Sequence, residues 1–205
     1  MNDYSPVEIR LPQEDIRRIH DLGIRQTEMF GHDRGFFTLG RKDSSHEIGF
    51  EGEIGFLRWC KDVIQLCEPE QVGLNEMGAE FDAYIVLANT RFNVHIKTGR
   101  WKCWPKPYYY FGVHHGQGIE ASGCPVVLVS CLNGNQEFIR IEGFMPSETL
   151  AMQRIIKRGE CFPGMRYPSR TDNWLTRFSD YLPIDTLPSY LLQHQNYDSL
   201  KLQRM

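Results

Sequence analysis

The clearest signal along the chain is a change of hydrophobic period between residues 49 and 97. Over residues 49–67 (GFEGEIGFLRWCKDVIQLC), Ile54, Leu57, Cys60, Val63, Ile64 and Cys67 recur at spacings of three and four. That recurrence puts them on one stripe of an α-helix. Over residues 79–97 (AEFDAYIVLANTRFNVHIK) the period drops to two. Phe81, Ala83 and Ile85 alternate with Asp82, Tyr84 and Val86; then Phe92, Val94 and Ile96 alternate with Asn93, His95 and Lys97. Two strands are predicted, joined by a tight turn at Asn89-Thr90.

The flanking segments fill in a mixed sheet with helices on both sides. Residues 12–22 read as a short amphipathic helix ended by Gly23, residues 31–49 as a glycine-rich, charged loop near the site, and a short strand is expected near Val72. Residues 108–113 form a further strand. The continuous apolar run 126–132 (VVLVSCL) fits a strand buried on both faces, and after the turn Asn133-Gly134-Asn135 the segment 137–144 returns as its neighbour. Ser147 is expected to cap a helix reaching about Lys157. The tail beyond Gly159 mixes four prolines with Trp174, Phe178, Tyr181 and Leu191, and short helices are expected over 172–178 and 186–193. A chain of 205 residues can bury one sizeable core, so the expectation is a single α/β domain over residues 1–205.

The chemistry concentrates in these periodic segments. His95 and Lys97 share a strand face, and Asp82 lies on the neighbouring strand. Such groups are costly to bury without partners, which makes a metal site or an ion-pair cluster the expectation. Glu53 sits near the amino-terminal end of the helical stripe, whereas Glu51 points elsewhere. The plainer reading of Glu53 is a first-turn acid that complements the helix dipole, and that of Lys97 is a structural ion pair with Asp82 or Glu53.

The sequence GFEGE on a helix, FD on a strand and HIK on the next strand resembles the PD-(D/E)XK nuclease superfamily, and among its members the small bacterial and phage ones. The resemblance spans residues 49–150, with an amino-terminal helix and loop before it and a helical extension after it. It implies a restriction-endonuclease-like fold and a metal-dependent nuclease that hydrolyses phosphodiester bonds in DNA, with RNA left open as a substrate. By position, Glu53, Asp82 and His95 would form the metal site for magnesium or manganese, and Lys97 would activate water or stabilise charge. Two positions depart from the family pattern. Phe81 replaces its Pro, and His95 stands where Glu, Asp or Gln is usual. Imidazole suits transition metals better than magnesium, so His95 shifts the expected preference toward manganese or leaves that residue to position a water.

Charge is distributed in a way that suits a polyanionic substrate. The whole chain carries 23 Lys and Arg against 26 Asp and Glu, which disfavours avid nonspecific coating of nucleic acid. Residues 44–80, however, hold eight acids and two bases, whereas residues 83–119 hold no acid and five bases. Within the basic stretch, Arg100, Trp101, Lys102 and Lys106 are candidate nucleic-acid contacts, while Tyr109 and Phe111 are expected in the core. Residues 151–170 add Arg154, Lys157, Arg158, Arg166 and Arg170 against Glu160, for which a solvated face, a nucleic-acid groove or a dimer seam are the alternatives.

The six cysteines contain no CxxC pair, and buried reduced thiols are expected. No apolar run is long enough to cross a membrane, and the polar start MNDYSPVEIR lacks a signal-peptide core, so a cytoplasmic protein, bacterial or phage-encoded, is expected; a homodimer is compatible with it. Two other classes compete with the nuclease. One is a catalytically inactive nucleic-acid-binding or assembly module that keeps the fold. The other is a structural zinc protein using His95, His114, His115 and Cys103.

Overall fold

The computed structural model describes residues 4–30, 45–63, 82–115 and 122–202. The expected strand near Val72, most of the glycine-rich loop, and the positions of Phe81 and Cys67 lie outside them. The described chain is a mixed α/β structure built in layers around a five-stranded sheet. Strands β1 (Val7–Arg10), β2 (Ala83–Leu87), β3 (Thr90–Trp101), β5 (Val126–Leu132) and β6 (Asn135–Met145) take the order β1-β6-β5-β3-β2. The β3–β5 pair is parallel and the others are antiparallel. Helix α2 (Ser45–Val63) lies on one face, with α1 (Gln13–Phe30) packed outside it. The other face carries a small antiparallel sheet, β4-β8-β7, from Tyr110–His114, Asn173–Arg177 and Ile155–Ile156. Two further helices, α3 (Ser147–Ala151) and α4 (Leu187–Leu202), follow β6 and close the chain.

The two faces bury separate cores. Ile54, Leu57, Trp59 and Cys60 of α2 meet Val94, Ile96, Val127, Val129, Ile139 and Ile141 in the larger one. Val126, Leu128, Met145 and Leu150 meet Val113, Trp174, Phe178 and Tyr181 in the smaller. Strand β5 contributes to both, which is why its sequence is apolar without alternation. Each fully buried Leu or Ile here contributes roughly 1.5–3 kcal/mol, so this central strand is the most costly element to perturb.

Helix α2 approaches the sheet unusually closely through two glycines. A Cβ on Gly52 would land on Thr98 Oγ1, and one on Gly55 would land on Ile139 Cδ1. Side chains at these positions would lift the helix off β3 and β6. Glycine in a helix interior costs about 1 kcal/mol relative to alanine, and the close seating of the Glu51–Glu53 segment is what that cost secures.

Several elements differ from expectation for identifiable reasons. Gly23 does not end α1, because it serves as a contact: a Cβ there would strike the Glu47 side chain of α2. Helix α2 begins at Ser45, so Glu53 lies about two turns inside it and Glu47 is the first-turn acid. The β2–β3 turn is Ala88-Asn89, one residue early, with both residues left-handed (φ 49° and 63°), the pattern of a type I′ hairpin. Ser147 does not cap a long helix. Pro146 holds the cap position, α3 ends at Ala151, and Ile155 and Ile156 pair with Trp174 and Asn173. Residues 173–177 are strand rather than helix, as β8 is ladder-bonded on both sides. The last expected helix is present as α4. Among the described residues no helix is long and apolar enough to cross a membrane.

Candidate functional site

Asp82 stands just before β2, and its position follows from how the β2–β3 ladder ends. The last register pair is Ala83 with Val94, and the Asp82 amide donates to Val94 O at 3.1 Å. Beyond Val94 the described chain offers β3 no neighbour on this side. The Ile96 amide, which would otherwise be orphaned, donates instead to Asp82 Oδ2 at 2.7 Å. Among the described residues, the carboxylate thus takes the place of a strand partner. Lys97 Nζ donates to the same oxygen at 3.2 Å, and His95 Nδ1 lies 3.8 Å from it.

His95 and Lys97 share a face, as the alternation requires. They pair in register with Val126 and Leu128, whose side chains belong to the smaller core, so this face is the one turned away from α2. Glu53 arrives from the α2 side. Asp82 and Lys97 both act on it: the Glu53 carboxyl is pushed up to about 8, first by burial and then by the negative charge of Asp82, with Lys97 pulling the other way. Its Oε2 is sealed from solvent and has no hydrogen-bond partner among the described residues. For Asp82, burial again acts upward. The His95 hydrogen bond, the Lys97 charge, the Ile96 amide and the His95 charge outweigh it and hold the group below its usual range.

The remaining expected residues fall into different surroundings. Arg100, expected at a nucleic-acid surface, is buried and forms an ion pair with Glu51 of α2. Glu51 therefore has a clear structural role that its neglect in the sequence concealed. Trp101 packs against Tyr109, Phe111 and Phe178 at the edge of the smaller core, with its ring 5.4 Å from that of Phe178. Lys102 and Lys106 are exposed. His115 lies against Trp174, and His114 precedes it on β4 of the small sheet. Cys60, Cys124 and Cys131 are buried and outside any disulfide, but Cys103 and Cys161 are exposed, contrary to the expectation of burial.

Ser122 is a site residue that the sequence did not reveal. Its hydroxyl lies 3.0 Å from His95 Nε2 and also accepts the Cys124 amide at 3.2 Å. The hydroxyl can donate to Nε2 or accept from it, as the imidazole tautomer dictates, while Nδ1 faces Asp82 Oδ2. His95 thus bonds Ser122 with one nitrogen and lies 3.8 Å from Asp82 with the other, between the two groups. A contact spanning 27 residues leaves no local signature.

Among the described residues no three His, Cys, Asp or Glu side chains form a preformed metal cage. What does fit a hard cation is oxygen: Glu53 Oε2, shielded and without a partner among the described residues, within the reach of the Asp82 charge. Comparison with known proteins matches the chain to no family model, no curated protein and no solved structure.

Proposed function

We propose that the chain is a metal-dependent nuclease with a restriction-endonuclease-like core, acting on phosphodiester bonds in DNA. What supports this reading is Lys97 Nζ at 3.2 Å from Asp82 Oδ2, with the buried Glu53 of α2 near enough for both charges to act on its carboxyl. Two carboxyl groups sharing a water-poor site repel, and one proton is retained to about 8. A cation is the natural relief of that repulsion.

Glu53 and Asp82 would hold magnesium or manganese. The ion would supply charge stabilisation at the phosphate and a more acidic bound water. Lys97 sits beside the same carboxylate oxygen, where its ammonium can orient the attacking water or neutralise charge developing on phosphorus. His95 fixes Asp82 from the other side, held in turn by Ser122. Lys102 and Lys106 remain candidates for phosphate contact, whereas Arg100 is committed to Glu51.

One observation favours the competing module that binds nucleic acid without cleaving it: Lys97 already has a carboxylate partner at 3.2 Å. A divalent-metal screen on linear, circular and branched DNA separates the two. Magnesium- or manganese-dependent cleavage, blocked by chelator and lost in Lys97→Ala, supports the nuclease. Binding with no cleavage under any metal supports the module.

A further inference from the structure

The segment between β7 and β8 is a built surface feature that the proposed chemistry does not use. Its two arms are pinned by Gly159 N to Ser169 O at 2.9 Å, Ser169 N to Glu160 O at 2.7 Å, and a bridge between Cys161 and Pro168. The base is clamped by Asp172, which pairs with Lys157 Nζ at 2.9 Å and accepts the Arg158 amide at 2.8 Å. Phe162 covers Gly112 of β4, where a Cβ would press into its ring. The tip is thereby held, and it displays what a folded chain normally hides. Tyr167 is 84% exposed and Met165 50%, with Arg166 between them in solvent. Arg154 and Arg158, also exposed, flank the base.

The arm springs from the small sheet, which packs on the face of the five-stranded sheet that carries His95 and Lys97. Val126, the register partner of His95, shares the smaller core with Val113 and Trp174. Those two residues face each other across β4 and β8, one step from the His114–Asn173 pair and from Asp172 at the base of the arm.

From the projecting tip, the exposed arginines and this placement, we infer that residues 157–170 form an arm that grips single-stranded nucleic acid, Tyr167 stacking on a base while Arg154, Arg158 and Arg166 hold phosphates. Guanidinium groups around an accessible aromatic face complement a polyanion that carries flat, unpaired bases. A lipid surface fits less well, since the apolar side chains exposed at the tip, Pro163, Met165 and Pro168, are small or single and offer no broad face to insert. The inference takes its ligand class from the nuclease reading but does not depend on turnover.

The test is binding of a fluorescein-labelled 20-nucleotide single-stranded DNA in EDTA, followed by anisotropy, so that the absence of cleavage cannot affect the result. Tyr167→Ala and Arg166→Glu should each weaken binding by about tenfold, the size expected for loss of one stacked base or of one phosphate contact with charge reversal. Arg17→Glu, the same charge change on the exposed face of α1, should alter it less than about twofold. Thermal melts of the variants should match the wild type, since the replaced side chains lie in solvent. Equal losses in all three variants, no oligonucleotide binding by the wild type, or variants that weaken attachment to phosphatidylserine vesicles but not to DNA would overturn the proposal. Failure here leaves the Lys97→Ala cleavage test intact, and failure there leaves this one intact.

Discussion

Glu51 and Glu53 lie two residues apart on one closely seated helix, yet their surroundings are opposite. Glu51 meets Arg100 in a buried pair and has the Cys131 thiol beside it. Its charge is neutralised within the protein. Glu53 feels the charge of another acid, keeps one oxygen without a partner among the described residues, and holds its proton to about 8. A buried pair that is internally balanced is structure. A buried pair of like charge is a standing cost, and proteins retain such costs at sites where something else binds. The difference between these two acids is the strongest physical reason to look for function at Glu53.

The largest effect we expect is on catalysis. Asp82→Ala or Lys97→Ala should cut metal-dependent cleavage by at least about a hundredfold, measured as initial rates, while circular dichroism stays native. Unchanged rates in both variants would remove Asp82 and Lys97 from the chemistry and leave the charge beside Glu53 without a catalytic role.

Next in size is the balanced pair. Arg100→Ala leaves Glu51 buried without its cation and should cost about 3–5 kcal/mol in a urea melt. A loss below about 1 kcal/mol would show that the pair is not neutralising Glu51 as the structure implies.

A pH series sharpens the contrast at Glu53 itself. The folded carboxyl keeps its proton to about 8, while the unfolded one releases it near 4.5. Its contribution to stability is therefore complete below about 4.5 and declines as pH rises through 8. Glu53→Gln should flatten this decline and melt higher than the wild type at pH 9, with little difference at pH 4.5. Asp82 acts in the opposite direction. Its contribution is present above its ordinary value of 3.8 and is lost as acid takes the pH down through its lowered value. The smallest effect belongs to Ser122→Ala, which removes the hydroxyl's hydrogen bonds to His95 and to the Cys124 amide. It should cost about 0.5–1.5 kcal/mol of stability and leave Lys97 in place.

Much of this framework was legible in the sequence wherever period and burial agree. The run VVLVSCL is β5 as expected, because a strand covered on both faces needs no alternation. His95 and Lys97 fall on one face because strand geometry leaves no choice. Features set by distant partners were not legible. Arg100 reads as a surface base in a basic run, yet Glu51 lies 49 positions upstream and only folding joins them. The helix expected after Ser147 gave way to β7 because Ile155 and Ile156 find a ladder partner in β8, which no local propensity announces. Gly23 was read as a stop signal although its role is to let Glu47 approach.

The most direct measurement of the central claim is calorimetric titration of manganese into the wild-type chain and Glu53→Gln at pH 7, repeated in buffers of different ionisation enthalpy. If Glu53 and Asp82 share a cation site, the wild type binds the ion and releases close to one proton as it does so, because Glu53 must give up the proton it holds to about 8. Glu53→Gln should then bind at least about tenfold more weakly and release none. Equal affinity and equal proton release in the two proteins, or no binding by either, would contradict the account.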